Sequence, residues 1–82
     1  MSKITPIHYK KLVKIFELEG FNLQRQKGDH LIYTKRGISR PLVIPKYREI
    51  PVFVIKNNLR AAGIGREIYF KLLKKIREKK GK

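Results

Sequence analysis

The chain contains no cysteine. Disulfide staples, thiolate zinc sites and a cysteine nucleophile are therefore excluded. Acids are scarce, with 6 Asp+Glu against 21 Lys+Arg. Glu17, Glu19, Asp29, Glu49, Glu67 and Glu78 lie scattered, so no carboxylate pair suited to acid–base work stands out. His8 and His30 are the only histidines, and nothing resembles a metal-ligand spacing. Neither a metal nor a cofactor is expected. There is no Walker loop and no Gly-x-Gly-x-x-Gly; "GIG" at 63–65 reads as a helix–helix connection. No apolar run is long enough to span a bilayer. The opening "MSKITPIHYKK" lacks the apolar stretch of a signal peptide, so a cytoplasmic location is expected.

What is abundant is positive charge. A formal +15 on 82 residues makes a polyanion the natural partner. Nucleic acid comes first and an anionic membrane second. A merely solvated basic surface is a poorer explanation, because such self-repulsion opposes compaction. Hydrophobic residues at 41% suffice for a small core and argue against disorder. The length fits one domain, assigned to residues 1–76, with a basic tail over 77–82.

Thr5-Pro6 is a helix-start signal, followed by Ile7, Leu12, Ile15 and Phe16 at near-helical spacing, with Gly20 as the stop. Glu17 and Glu19 near that C-terminus oppose the helix dipole. "FNLQRQK" alternates, with Phe21 and Leu23 on one face, and predicts a strand. Gly28-Asp29 breaks the chain as a hairpin, and "HLIYTKR" resumes as a second strand. "RPLVIP" is a third, confined by Pro41 and Pro45 to an edge or to its ends. Pro51 opens a second helix with Val52, Ile55, Leu59 and Ala62 on one face, closed by Gly63. Asn58 beside that stripe either holds a buried hydrogen bond or marks a partly exposed side. Ile64, Ile68, Leu72 and Ile76 mark a third helix. The expected fold is α+β: α-β-β-β-α with a three-stranded antiparallel sheet, helices on one face, and an extra C-terminal helix.

One constellation carries chemistry. His30 follows the Gly28-Asp29 turn, with Arg25, Lys27, Lys35 and Arg36 close by in sequence. RNA cleavage needs a group that takes the 2′-OH proton, one that protonates the leaving 5′-oxygen, and cations for the phosphorane. Histidine titrates near neutrality and serves as either. Arg40, Lys46 and Arg48 extend the cationic set. The bland reading is a polar residue at a strand start. Alternation puts His30 on the face of Ile32; if Ile32 enters the core, His30 faces the helical layer at the sheet rim. Tyr33 reads as packing rather than as a base-stacking platform, and His8 as solvated. Lys71, Lys74, Lys75 and Lys79 flank the last helix's stripe as in interfacial helices. Packing explains that stripe more simply, and no membrane partner is expected.

"GFNLQRQKGDHLIY", then "LVIP", then "VIKNNLRAAGIGREIYFKLL" resembles, in that order, the HicA (YcfA-like) toxin family, over residues 5–73. The resemblance implies a fold like the double-stranded-RNA-binding domain, mRNA interferase activity, and neutralisation by a HicB-type antitoxin. It places the catalytic histidine at His30 and the turn glycine at Gly28. Asp29 stands where the family often has serine, Leu31 where a second histidine often follows, and Asn58 where an apolar residue is usual. The alternative from composition is a non-catalytic RNA-binding module of the same fold.

Overall fold

The structure, a computed structural model, describes residues 3–80. Its elements are α1 (Tyr9–Leu18), β1 (Asn22–Lys27), β2 (His30–Lys35), β3 (Ile38–Pro45), α2 (Val52–Ala62) and α3 (Arg66–Lys80). The strands make one antiparallel sheet in the order β1-β2-β3. This is the α+β architecture that the patterning implies. Leu31, Tyr33, Leu42 and Ile44 from the sheet meet Leu12, Ile15 and Phe16 of α1 and Ile55 and Leu59 of α2 in one core. α3 packs against α1 and adds Tyr69, Leu72 and Leu73.

The start of α1 differs from the sequence expectation. The helix begins at Tyr9, with His8 rather than Thr5 as N-cap. Thr5-Pro6 is a sound local signal, but tertiary contact overrides it. Ile4 and Ile7 are buried, and the Ile50 N–H donates to the Ile7 carbonyl at 2.7 Å. That bridge holds residue 7 extended, so the helix cannot start until the chain leaves it. The His8 Nδ1 then accepts the Lys10 N–H at 3.1 Å. Of the expected stripe Ile64, Leu72 and Ile76 pack inward, but Ile68 does not. Tyr69, Leu72 and Leu73 are buried while Ile68 is 41% exposed, because the large Tyr69 ring takes the inward position. α3 continues through Lys80, so part of the stretch read as a tail is helical. The remainder, residues 81–82, lies outside the described residues.

Two polar contacts explain residues that local rules disfavour. Glu17, against the dipole near the end of α1, accepts a 3.3 Å hydrogen bond from the buried Tyr33 hydroxyl. Burial first, then the Glu17 charge and this bond, push the Tyr33 phenol above its ordinary range. Asn58 is only 7% exposed and holds the buried hydrogen bonds that its position allowed. Its Nδ2 donates to the Val43 carbonyl at 3.0 Å, and its Oδ1 accepts the Val43 N–H at 3.2 Å. β3 is an edge strand, and these are backbone groups that no fourth strand pairs. The primary amide thus stands in for one residue of a missing strand and ties α2 to the sheet. Pro41 and Pro45 lie two residues to either side, in the same outward phase, and have no N–H to expose.

Asn58→Ala leaves both Val43 groups unpaired. A loss of about 2 kcal/mol is expected in urea unfolding, and a loss under about 0.5 kcal/mol would show that the amide is dispensable. A second expectation concerns alkali. Burial pushes the Tyr69 phenol from 10.0 up to about 12, with Arg77 opposing weakly. The folded state then holds a proton that the unfolded chain releases, so this contribution is complete below pH 10 and lost as pH rises towards 12. Tyr69→Phe is expected to retain more stability than the parent across that window. Identical pH–stability curves would contradict it.

Candidate functional site

Lys27 pairs with His30 across a two-residue turn, Gly28-Asp29. Gly28 adopts φ +58°, the left-handed region that such tight turns require. The Gln26 side chain closes the turn by donating to the Gly28 carbonyl at 3.1 Å. The Lys46 N–H donates to the Asp29 carbonyl at 2.7 Å. That second bond fixes the hairpin tip to the point where the chain leaves β3, directly beside His30. Among the described residues, no hydrogen bond joins the Asp29 carboxylate to the His30 ring.

Leu31 and Tyr33 are the buried members of β2, so Tyr33 is packing. Alternation sends His30 and Ile32 to the opposite, helix-free face. Ile32 does not enter the core, and the alternative placement of His30 against the helical layer is excluded. His30 is exposed. Residues directly opposite on neighbouring strands share a face. One row across the open face is Lys27, His30, Pro45, and the next is Arg25, Ile32, Val43.

A β-bulge makes this arrangement possible. Leu23 pairs with Tyr33, yet Arg25 pairs with Ile32, so Gln24 is an extra residue in β1. In regular alternation Arg25 and Lys27 would follow Leu23 onto the helix side. The inserted residue reverses the phase and turns both cations onto the face of His30. Leu23 keeps the helix-side phase but lies 51% exposed, past the edge of the covering helices.

The other cations divide between the two ends of the sheet. Lys46 and the exposed Arg48 lie on the loop after β3, at the His30 end. The Lys46 ammonium sits 5.9 Å from the centre of the Tyr9 ring. Lys35, Arg36 and Arg40 cluster around the β2–β3 turn at the far end. His30 and Lys35 are the two ends of one strand, roughly 17 Å apart along it. The Lys35 ammonium lies 5.5 Å from the centre of the Phe21 ring, partly occupied in packing. The set therefore splits into a group around His30 (Arg25, Lys27, Lys46, Arg48) and a distal group (Lys35, Arg36, Arg40).

The structure adds residues that no sequence signal marked. Tyr47 is exposed two positions after Pro45, and its carbonyl accepts the Tyr9 N–H at 3.1 Å. Tyr9 in turn stacks on His8 at 4.9 Å between centroids. His8 is half-buried and caps α1, rather than freely solvated. The fold thus gathers the N-terminus of α1 and the loop after β3 at the hairpin that carries His30.

Residues 9–64 match the family model described as the HicA toxin of bacterial toxin-antitoxin systems. The chain belongs to the HicA toxin family. No curated protein and no solved structure matches it. Membership makes this HicA-family chain a toxin with an antitoxin partner. Among the described residues, no helix is long and apolar enough to cross a membrane. The match ends at residue 64, so α3 lies outside it.

Nothing lies within 4 Å of where a Gly28 Cβ would sit, so a side chain there meets only backbone strain. Gly28→Ala is expected to lower unfolding stability by about 1 kcal/mol, and Gly28→Asn by less, since asparagine tolerates this region. Equal melting temperatures for all three proteins would refute the requirement.

Proposed function

We propose that this HicA-family toxin is a metal-independent mRNA interferase, an endoribonuclease acting in the cytoplasm and neutralised by a HicB-type antitoxin. The observation that carries the reading is the open-face row in which the exposed His30 stands beside Lys27, with Arg25 in the next row. His30 takes the proton from a ribose 2′-OH as that oxygen attacks the adjacent phosphorus. The imidazolium then returns a proton to the departing 5′-oxygen, leaving a cyclic phosphate on one fragment. Arg25 and Lys27 offset the charge that builds on the phosphorane. Lys46 and Arg48 hold the strand beside the reacting phosphate, and Arg36 and Arg40 grip it farther along, while Lys35, in the phase of Leu31 and Tyr33 and packed on Phe21, contributes charge from the rim. Gly28 shapes the turn, and Asp29, fixed through its carbonyl, sets where His30 begins. The chemistry requires no metal and no cofactor.

The second reading is a non-catalytic RNA-binding module. It draws support from Asp29, an acid beside His30 on a face meant for phosphate, and from Leu31, which faces the core and contributes no second imidazole.

His30→Ala is expected to reduce cleavage of a single-stranded RNA by at least about a hundredfold, the usual scale of acid–base catalysis. RNA affinity should change little, since phosphate contacts dominate binding. Parent cleavage should persist in EDTA. Arg25→Ala and Lys27→Ala should each lower the salt slope of binding by roughly one. Shifted bands without fragments from the parent protein would favour the binding module. Cleavage by His30→Ala at the parent rate would remove His30 from the mechanism.

A further inference from the structure

A cleft of about 250 Å³ opens between the N-terminal segment and α3, lined by Lys3, Thr5, Tyr69, Phe70, Leu73 and Arg77. All six residues fall outside the segment that matches the family. α3 packs on α1, which lies on the helix side of the sheet, whereas His30 is on the other face. The cleft is therefore separate from the proposed catalytic surface.

Its chemistry is unbalanced. Tyr69 is 1% exposed, and its hydroxyl is buried with no hydrogen-bond partner among the described residues. Buried polar groups in native proteins are almost always paired, so an orphan calls for an explanation. The Arg77 guanidinium is near enough to act electrostatically on the phenol, yet no hydrogen bond joins them. Lys3 adds a second cation and Thr5 a second hydroxyl at the rim, over an apolar floor of Phe70 and Leu73. A group that satisfies this set must accept a hydrogen bond from the phenol, carry negative charge towards Arg77 and Lys3, and bring methylenes to the floor. A carboxylate on a short aliphatic stem does all three. A backbone phosphate carries the charge but offers the floor no apolar stem. The family supplies a protein partner, and a chain of +15 is complemented by an acidic one.

We propose that this cleft is a carboxylate pocket that receives an aspartate or glutamate side chain from an acidic segment of the antitoxin. The pocket anchors the partner on the helix side and leaves the open sheet face to be covered separately. This rests on family membership and does not depend on whether the toxin cleaves RNA.

The test titrates the full chain with a dye-labelled, end-blocked peptide of alternating glutamate and leucine, followed by fluorescence anisotropy at physiological salt. Tyr69→Phe removes one oxygen and keeps the ring. It should weaken the peptide roughly tenfold, as expected for one hydrogen bond to a charged group. Its melting temperature at neutral pH should be no lower than the parent's, because the orphaned hydroxyl is gone. Arg77→Gln should weaken the peptide comparably, and Lys27→Gln on the opposite face should leave it unchanged. Equal peptide affinity for the parent and Tyr69→Phe overturns the proposal, as does failure of the parent to bind. An oligouridylate whose affinity falls in Tyr69→Phe as much as the peptide's also overturns it, by making the pocket a phosphate site.

Discussion

The burial of Leu31 and Tyr33 against the helices constrains every other side chain on the sheet. A strand has two faces and a period of two, so once these residues point inward, His30 and Ile32 must point outward. A slip of one residue would seal the imidazole in the core and expose a leucine and a tyrosine. The Tyr33 hydroxyl reinforces the register by reaching Glu17 on α1, a bond that a slipped strand could not make. The exposure of His30 is therefore held by the packing of its neighbours, not by any contact of its own.

Charge placement follows from the same constraint, with one correction. β1 carries its cations in the phase that regular pairing would turn towards the helices. The bulge at Gln24 reverses the phase between Leu23 and Arg25 and turns both cations onto the face of His30. The two edges are then treated differently. β3 is closed by Asn58 and two prolines, so no further strand can add there. β1 is exposed along its whole length and is protected by its charges.

The sequence made the order of elements, the sheet, the proline-marked edge and the glycine stops of α1 and α2 legible, because each depends on local periodicity or on one residue's backbone preference. What it hid depends on contacts distant in sequence. The bulge exists only as a mismatch between two strands, and "NLQRQK" looks regular by itself. The Thr5-Pro6 signal is genuine but is overruled by the bridge from Ile7 to Ile50. Within the stripe of α3 only Ile68 departs from expectation, because Ile68 and Tyr69 are adjacent and packing decides which of them is inside. The site shows the same division. His30, Gly28 and the nearby cations are local in sequence. Tyr9, Tyr47 and His8 join them only through backbone bonds that close the fold. The expectation that His30 is catalytic rests on the likeness to HicA toxins more than on composition.

A chain this basic has few acids of its own with which to neutralise its surface, and both surfaces proposed to bind partners present that excess charge. On the open face Arg25 and Lys27 are exposed and spaced along a strand, which suits the backbone of a flexible polyanion. In the cleft on α3 the cations sit over apolar floor residues beside a buried hydroxyl, which suits one fixed carboxylate held for as long as the partner stays folded. The first kind of site weakens steeply with salt. The second depends on desolvation and geometry, and is screened far less. The two proposals thus put a salt-sensitive contact and a desolvated one on opposite sides of one small core.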